Sequence, residues 1–244
     1  MSSGKKVPKL RSLADANRAT AVKARESWHI LGIISEFVEA TERLASIRPA
    51  VSIFGSARLQ PGSQWYDWTV ELSRELSDAG FAVISGGGPG IMEAANLGAQ
   101  QGASPSVGLN IELPMEEQPN EFQDVSINFR HFFTRKVAFA KYASAFVATP
   151  GGFGTLDELA EVLTLIQTGM GRKIPVILAD TTFWGGLLDW MREQQAGRGL
   201  ISPDDLDLIQ VIDNKSQVVE AIFDFYQSRG FEPTDREEDP LLYL

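Results

Sequence analysis

The chain has 244 residues, 32 of them acidic and 22 basic, and its formal charge of −10 argues against a surface built to neutralise nucleic-acid phosphates or anionic lipid. It has no cysteine, which excludes disulfide frameworks, zinc–thiolate sites and thiol nucleophiles, and its two histidines, His29 and His131, are too few for a multi-histidine metal centre. No uncharged apolar run reaches the roughly 18–20 residues needed to cross a bilayer, so the expectation is a cytoplasmic protein without nucleic-acid or membrane partners, metal or cofactor.

Charge divides the chain into three parts. Residues 1–25 carry a net +6 with no apolar stretch or cleavage site after them, which reads as a mobile basic leader rather than a targeting peptide. From Phe231 to the end the net is −4, an acidic tail (231–244). Residues 26–230 between them form one domain.

In chain order, Ser27–Leu44 places Ile30, Ile33, Ile34, Phe37, Ala40 and Leu44 at helical spacing. This predicts an added helix that packs on the core or on another subunit. Val51–Phe54 predicts a strand broken by Gly55, and Gln64–Ala79 a helix stopped by Gly80. Phe81–Ile84 is a second strand, followed by a helix from Ile91 to about Gln101. Val107–Leu113 reads as a strand and residues 114–120 as a loop. A helix over about His131–Ala143, a strand Ala145–Ala148 and a helix Thr155–Thr168 follow, then a strand Ile174–Leu178 and a helix Trp184–Gln195. Strands apolar throughout, each followed by a helix, predict a Rossmann-like, doubly wound parallel sheet in three layers, α/β/α, with added N- and C-terminal helices. Trp65, Trp68, Trp184 and Trp190 sit among apolar residues and are expected in the core. His29 is expected to pack, and His131 to cap a helix or lie at the surface.

In an open α/β sheet, ligands bind where strands end and loops enter helices. Two such junctions are dense in glycine: Ser85-Gly86-Gly87-Gly88-Pro89-Gly90 and Pro150-Gly151-Gly152-Phe153-Gly154-Thr155-Leu156-Asp157-Glu158. Glycines let backbone amides approach an anion, and a helix N-terminus adds unpaired donors and the positive end of its dipole. Neither loop fits the dinucleotide fingerprint or the P-loop. Each alone is as readily a tight turn, but two at equivalent places in one sheet favour a phosphate cradle. Thr155 and Glu158 also have the spacing of a capping box, and Arg135 and Lys136 could supply positive charge or form a solvated helix face.

The second loop resembles the P-G-G-x-G-T-x-x-E signature of the LOG family, the cytokinin riboside 5′-monophosphate phosphoribohydrolases often labelled "possible lysine decarboxylase". Phe54-Gly55-Ser56-Ala57-Arg58, Gly86 through Asn96, and Arg135-Lys136 support the resemblance, which spans roughly residues 50–180 and points to the longer bacterial branch. It implies hydrolysis of the N-glycosidic bond of an AMP-like nucleoside 5′-monophosphate, with Arg135 and Glu158 as the catalytic pair. Gly151, Gly152, Gly154 and Thr155 would hold the phosphate. Gly87, Gly88, Ser56 and Lys136 would complete nucleotide binding, with Glu93 a candidate ligand to sugar hydroxyls. It further implies a homodimer or higher homo-oligomer. The sequence departs from the short form at Phe132-Phe133-Thr134, where M-H-E is usual, and at Glu93, where glycine is common.

Breaking the ribose–base bond develops oxocarbenium-like charge on the sugar. Glu158 is expected to stabilise that charge or orient water, and Arg135 to hold Glu158 ionised and position substrate. Lysine decarboxylation needs a pyridoxal phosphate Schiff-base lysine, for which Lys136 and Lys141 have no recognisable context. The alternative of another class is a carrier that binds a nucleotide or molybdenum cofactor without turning it over, which has no need of both Arg135 and Glu158.

Overall fold

A computed structural model describes residues 16–113 and 118–228. Seven parallel strands form one sheet in the order β4-β3-β2-β1-β5-β6-β7. The strands are β1 (Ala50–Phe54), β2 (Ala82–Ser85), β3 (Ser106–Ile111), β4 (Val125–Phe129), β5 (Ala145–Ala148), β6 (Val176–Leu178) and β7 (Ile209–Val211). The helices are α1 (Ala16–Leu44), α2 (Gln64–Asp78), α3 (Ile91–Gln100), α4 (Phe132–Tyr142), α5 (Phe153–Gln167), α6 (Thr181–Trp190) and α7 (Lys215–Ser228).

The central strands are apolar on both faces because both are covered. Ala50 and Phe54 of β1 and Phe146 and Ala148 of β5 meet α1, α4, α5 and α6 through Leu44, Phe139, Leu159 and Trp184. Val51 and Ile53 of β1 and Ala145 and Val147 of β5 meet α2, α3 and α7 through Leu72, Leu76, Ile91 and Ile222. Parallel strands separated by helices on two faces are the predicted doubly wound α/β/α arrangement. β1 lies opposite β2 on one side (Val51 against Val83) and β5 on the other (Phe54 against Ala148). The strand order reverses between β1 and β5, and in such sheets the ligand crevice opens there, at the carboxyl ends.

The predicted elements differ from the structure where local pattern is weak. The N-terminal helix starts at Ala16 rather than Ser27, because the intervening run of Ala, Arg, Lys and Glu favours helix without any apolar stripe. Ten residues that the charge pattern places in the leader are therefore helical; residues 1–15 and the acidic tail lie outside the described residues. α1 meets the core through Ala40 and Leu44, while Ile30 and Ile34 stay exposed. β4 and β7 were not predicted. β4 alternates between buried and exposed positions, and β7 is a three-residue edge strand. The helix expected to run through Gln195 turns π-helical at Met191–Ala196. Trp184 is 1% exposed as expected, but Trp190 is 51% exposed and is no core residue. Six residues apart on a helix of 3.6 residues per turn, the two rings point about 120° apart. Among the described residues, no helix is long and apolar enough to cross a membrane.

Candidate active site

The loops leaving β1, β2 and β5 open into one cleft of about 1440 Å³. They are tied together by backbone: the Ser56 amide donates to the Pro150 carbonyl at 3.0 Å, and the Ile91 amide donates to the Ser56 carbonyl at 3.0 Å. Gly87 and Gly90 turn through positive φ (72° and 69°), where L side chains are strained. A Cβ on Gly90 would also meet the Ser56 carbonyl at 2.5 Å, so this crossing admits only glycine. A segment from Asn120 to Gln123 clasps the first loop. The Gln123 amide group donates to the Gly87 carbonyl at 2.8 Å, and that of Asn120 to the Gly88 carbonyl at 3.0 Å. Buried Asn96 joins Ser85, Ser106 and Asn120 behind it. With every donor and acceptor matched, such a network rigidifies the loop that it supports.

The second loop starts α5 earlier than the capping-box spacing suggests. Gly152 is the N-cap and its residue makes no side-chain cap, so Thr155 is the third helical residue and is buried, rather than the cap itself. Glycine in extended conformation begins the helix without help from a hydroxyl. The amides of the first turn therefore have no intrahelical partner. No acid lies in that first turn. Glu158 is the sixth helical residue, about 9 Å along the axis from Gly152 at 1.5 Å per residue, so its charge does not confront an anion bound at the helix end.

Arg135 and Glu158 both line this cleft, on α4 and α5. The Arg135 Nε donates to the Leu109 carbonyl at 2.7 Å and Nη2 to the Gly86 carbonyl at 3.1 Å. The guanidinium lies 5.2 Å above the Phe139 ring centroid. Nη1 has no protein partner among the described residues. Burial pulls this guanidinium down to about 10, against the pull of the Glu158 charge.

The Glu158 side chain is 13% exposed, and burial pushes its carboxyl up to about 7 although Lys136 and Arg135 both pull it down. The expectation that Arg135 keeps Glu158 ionised is therefore corrected. No direct ion pair joins them among the described residues, and desolvation outweighs the cations. A carboxyl raised toward neutrality is the kind of group that general acid–base chemistry uses.

Lys136 is the nearer cation, and it is neither on a solvated face nor in the cleft lining. Its side chain is 14% exposed, with Nζ 2.8 Å from Asp157 Oδ2, 3.8 Å from Glu158 Oε1 and 2.5 Å from Glu161 Oε2. Burial lowers its pKa, but the carboxylates around it more than offset that and raise it above the ordinary lysine value. Lys136 is thus engaged behind Glu158 rather than available to a phosphate. Removing it by Lys136→Met takes away the largest cationic influence on Glu158. The Glu158 midpoint should then rise above about 7, read by carbon-13 NMR titration of the labelled carboxyl; an unchanged or lower midpoint would refute this account.

Of the other sequence-predicted residues, Ser56, Gly87, Gly88, Gly151, Gly152, Gly154 and Thr155 line the cleft. Glu93 is not among the lining residues, because it accepts a hydrogen bond from the Tyr66 hydroxyl at 2.7 Å instead. His131 occupies the N-cap position of α4 but makes no capping bond; its Nδ1 lies 2.9 Å from Glu36 Oε1. His29 packs edge-on against it, ring centroids 4.6 Å apart. Sequence reasoning missed Asn110 and Asn128 at the ends of β3 and β4, and the aromatic walls Phe132, Phe139 and Phe183. The available signal was an asparagine interrupting an otherwise apolar strand.

The model of the family described as "Possible lysine decarboxylase" matches residues 92–222, more than half of the chain. Over 168 residues the chain is 31% identical to the cytokinin riboside 5′-monophosphate phosphoribohydrolase LOG of Oryza sativa subsp. japonica, covering 67% of each protein. The chain belongs to the LOG family. It is also 26% identical over 180 residues to LOG3 of Arabidopsis thaliana, covering 72% of this chain and 82% of that protein. Among solved structures, the molybdenum cofactor binding protein of Rippkaea orientalis superposes with a TM-score of 0.56 at 20% identity, covering 72% of this chain and 96% of that one. The molybdenum cofactor carrier protein of Chlamydomonas reinhardtii gives 0.56 at 19% identity, covering 73% and 98%. At such identities these two structures share the fold with this LOG-family chain and nothing finer.

Proposed function

We propose that this cleft hydrolyses the N-glycosidic bond of a nucleoside 5′-monophosphate, AMP or a cytokinin riboside 5′-monophosphate, to the free base and ribose 5-phosphate. The observation that carries the reading is the placement of Glu158, 13% exposed, in one cleft with Arg135 and about 9 Å along the helix whose N-terminus forms the glycine loop, where partial burial raises its carboxyl to about 7. A phosphate seated at the first-turn amides of α5 leaves the ribose extending toward Glu158. The ionised carboxylate would stabilise the developing oxocarbenium charge or take a proton from the attacking water. The proton that Glu158 takes from the water would then be the one delivered to the departing base, so the same carboxyl serves first as base and then as acid. Free Nη1 of Arg135 suits a substrate oxygen.

The residues do not fit a pyridoxal phosphate enzyme. Among the described residues no lysine lines the cleft, and Lys136 is held as an ammonium by three carboxylates. A Schiff-base lysine must instead be deprotonated to attack a carbonyl.

Purified protein incubated with AMP and with isopentenyladenosine monophosphate should release free base. Release from neither overturns the hydrolase reading in favour of a carrier. The base itself needs an apolar platform, and Phe153, 92% exposed at the cleft, offers one. Phe153→Ala should raise KM roughly tenfold, in keeping with the ~1–3 kcal/mol of a base–aromatic stack, with kcat changed little. An unchanged KM would remove Phe153 from base recognition.

A further inference from the structure

Helix α4 carries both Arg135 and Lys136, and its first turn is held locally through the Thr134 hydroxyl, 2.8 Å from the His131 carbonyl, and from outside. Its N-cap residue, His131, makes no side-chain cap. Glu36, a buried acid on α1 almost one hundred residues earlier, gathers the groups around its start. One Glu36 oxygen accepts from the Arg130 amide at 3.0 Å and lies 2.9 Å from His131 Nδ1; the other accepts from the Thr134 hydroxyl at 2.5 Å. None of these donors is a first-turn backbone amide of α4, so Glu36 does not cap the helix as a local Ser or Asp would. A carboxylate brought from another helix ties the first turn of α4 to α1 and places negative charge at the positive end of the α4 dipole.

The far end is held in the mirror sense. Arg48 and Arg172 both donate to the Lys141 carbonyl, and Arg172 donates to the Ala143 carbonyl at 2.8 Å as well. Cations thus sit at the negative end of the dipole. Between the clamps, directly after Thr134, Arg135 must reach two carbonyls far apart in sequence, that of Leu109 on β3 and that of Gly86 in the loop after β2. A small rotation or slide of α4 breaks one of these bonds, and misplacement by about 1 Å can cost about 100-fold in rate.

We propose that Glu36 is a positioning residue, one that sets the guanidinium of Arg135 in the cleft by fixing the first turn of α4. The kinetic part of its test rests on the hydrolase reading, whereas the exchange part does not. Hydrogen-exchange mass spectrometry of the full chain compares wild type with Glu36→Ala and Glu36→Gln, with Glu39→Gln as a control on the same helix. Glu36→Ala should exchange faster at residues 132–142 with the other sheet-covering helices unchanged, Glu36→Gln should lie between, and Glu39→Gln should match wild type.

With AMP, Glu36→Ala should lose about tenfold to 100-fold in kcat at nearly constant KM, with partial recovery in Glu36→Gln. If Glu36→Ala does not fold, Glu36→Gln is judged by the same two measurements. Unchanged exchange in α4, faster exchange spread over the whole chain, or loss of α4 protection with kcat intact each overturns the proposal. Should wild type release no base from AMP, the function is wrong but the exchange pattern still decides whether Glu36 fixes α4.

Discussion

Glu158→Gln is expected to lower base release from AMP by about 10²- to 10⁴-fold, the range typical of removing a positioned general acid–base. Glutamine keeps the shape and a hydrogen-bonding oxygen but can neither carry the charge that opposes an oxocarbenium ion nor exchange a proton. The same substitution should make the protein more resistant to heat at pH 8. A carboxyl raised in the folded state from the ordinary 4.5 to about 7 binds more proton folded than unfolded, so stability falls as pH rises through that window and the loss is complete above it. The deficit at pH 8 is on the order of 3 kcal/mol for such a difference. Glutamine removes it, though part of the gain is offset because Lys136 loses one of its three carboxylates. Calorimetry at pH 5 and pH 8 beside the release assay separates the roles. Activity lost together with stability at pH 8 would mark Glu158 as structural, whereas activity lost with stability gained marks a group strained for function.

What could be seen in the sequence follows the range of the interactions involved. β5 is an unbroken apolar run and was placed at its observed bounds, because strands covered on both faces need no partner information to be recognised. The two glycine loops were equally visible, since positive φ at Gly87 and Gly90 and a glycine N-cap at Gly152 are demands of the local backbone. Edge strand β4 was not, because Val125–Phe129 shows apolar residues to one side only and takes its strand identity from pairing with β3.

The candidate site divides in the same way. Arg135 and Glu158 were found through a resemblance, but their charge states were not, because those depend on burial and on what surrounds them. Lys136 was assigned to phosphate when read beside Arg135 alone; only the packing of α4 against α5 brings Asp157, Glu158 and Glu161 around it. Glu93 looked like a sugar ligand for want of Tyr66. The net charge of −10 posed no obstacle to an anion site of this kind. A single phosphate held by backbone amides at a helix end draws on fixed local dipoles, which a count of ionised side chains does not register.

Arg135→Ala is expected to lower kcat/KM for AMP by about 10²- to 10³-fold, the loss seen when one pre-aimed donor is removed from a water-poor site. The substitution acts twice. It deletes the free Nη1 donor, and it releases the Leu109 and Gly86 carbonyls that Nε and Nη2 hold at 2.7 and 3.1 Å. Arg135→Lys should recover little, since one ammonium on a flexible stem cannot bridge the Leu109 and Gly86 carbonyls and still present a donor to substrate. Charge alone is thus not what the position requires. If Arg135→Lys restores more than about a tenth of wild-type kcat/KM, the guanidinium's geometry is unimportant and the residue acts simply as a cation near Glu158. The pH profile tells the two apart. A lysine acting only through charge would keep both the height of the profile and the midpoint set by Glu158 near their wild-type values. Loss of geometry would instead lower the whole profile without moving that midpoint, because Lys136 remains the stronger cationic influence on the Glu158 carboxyl.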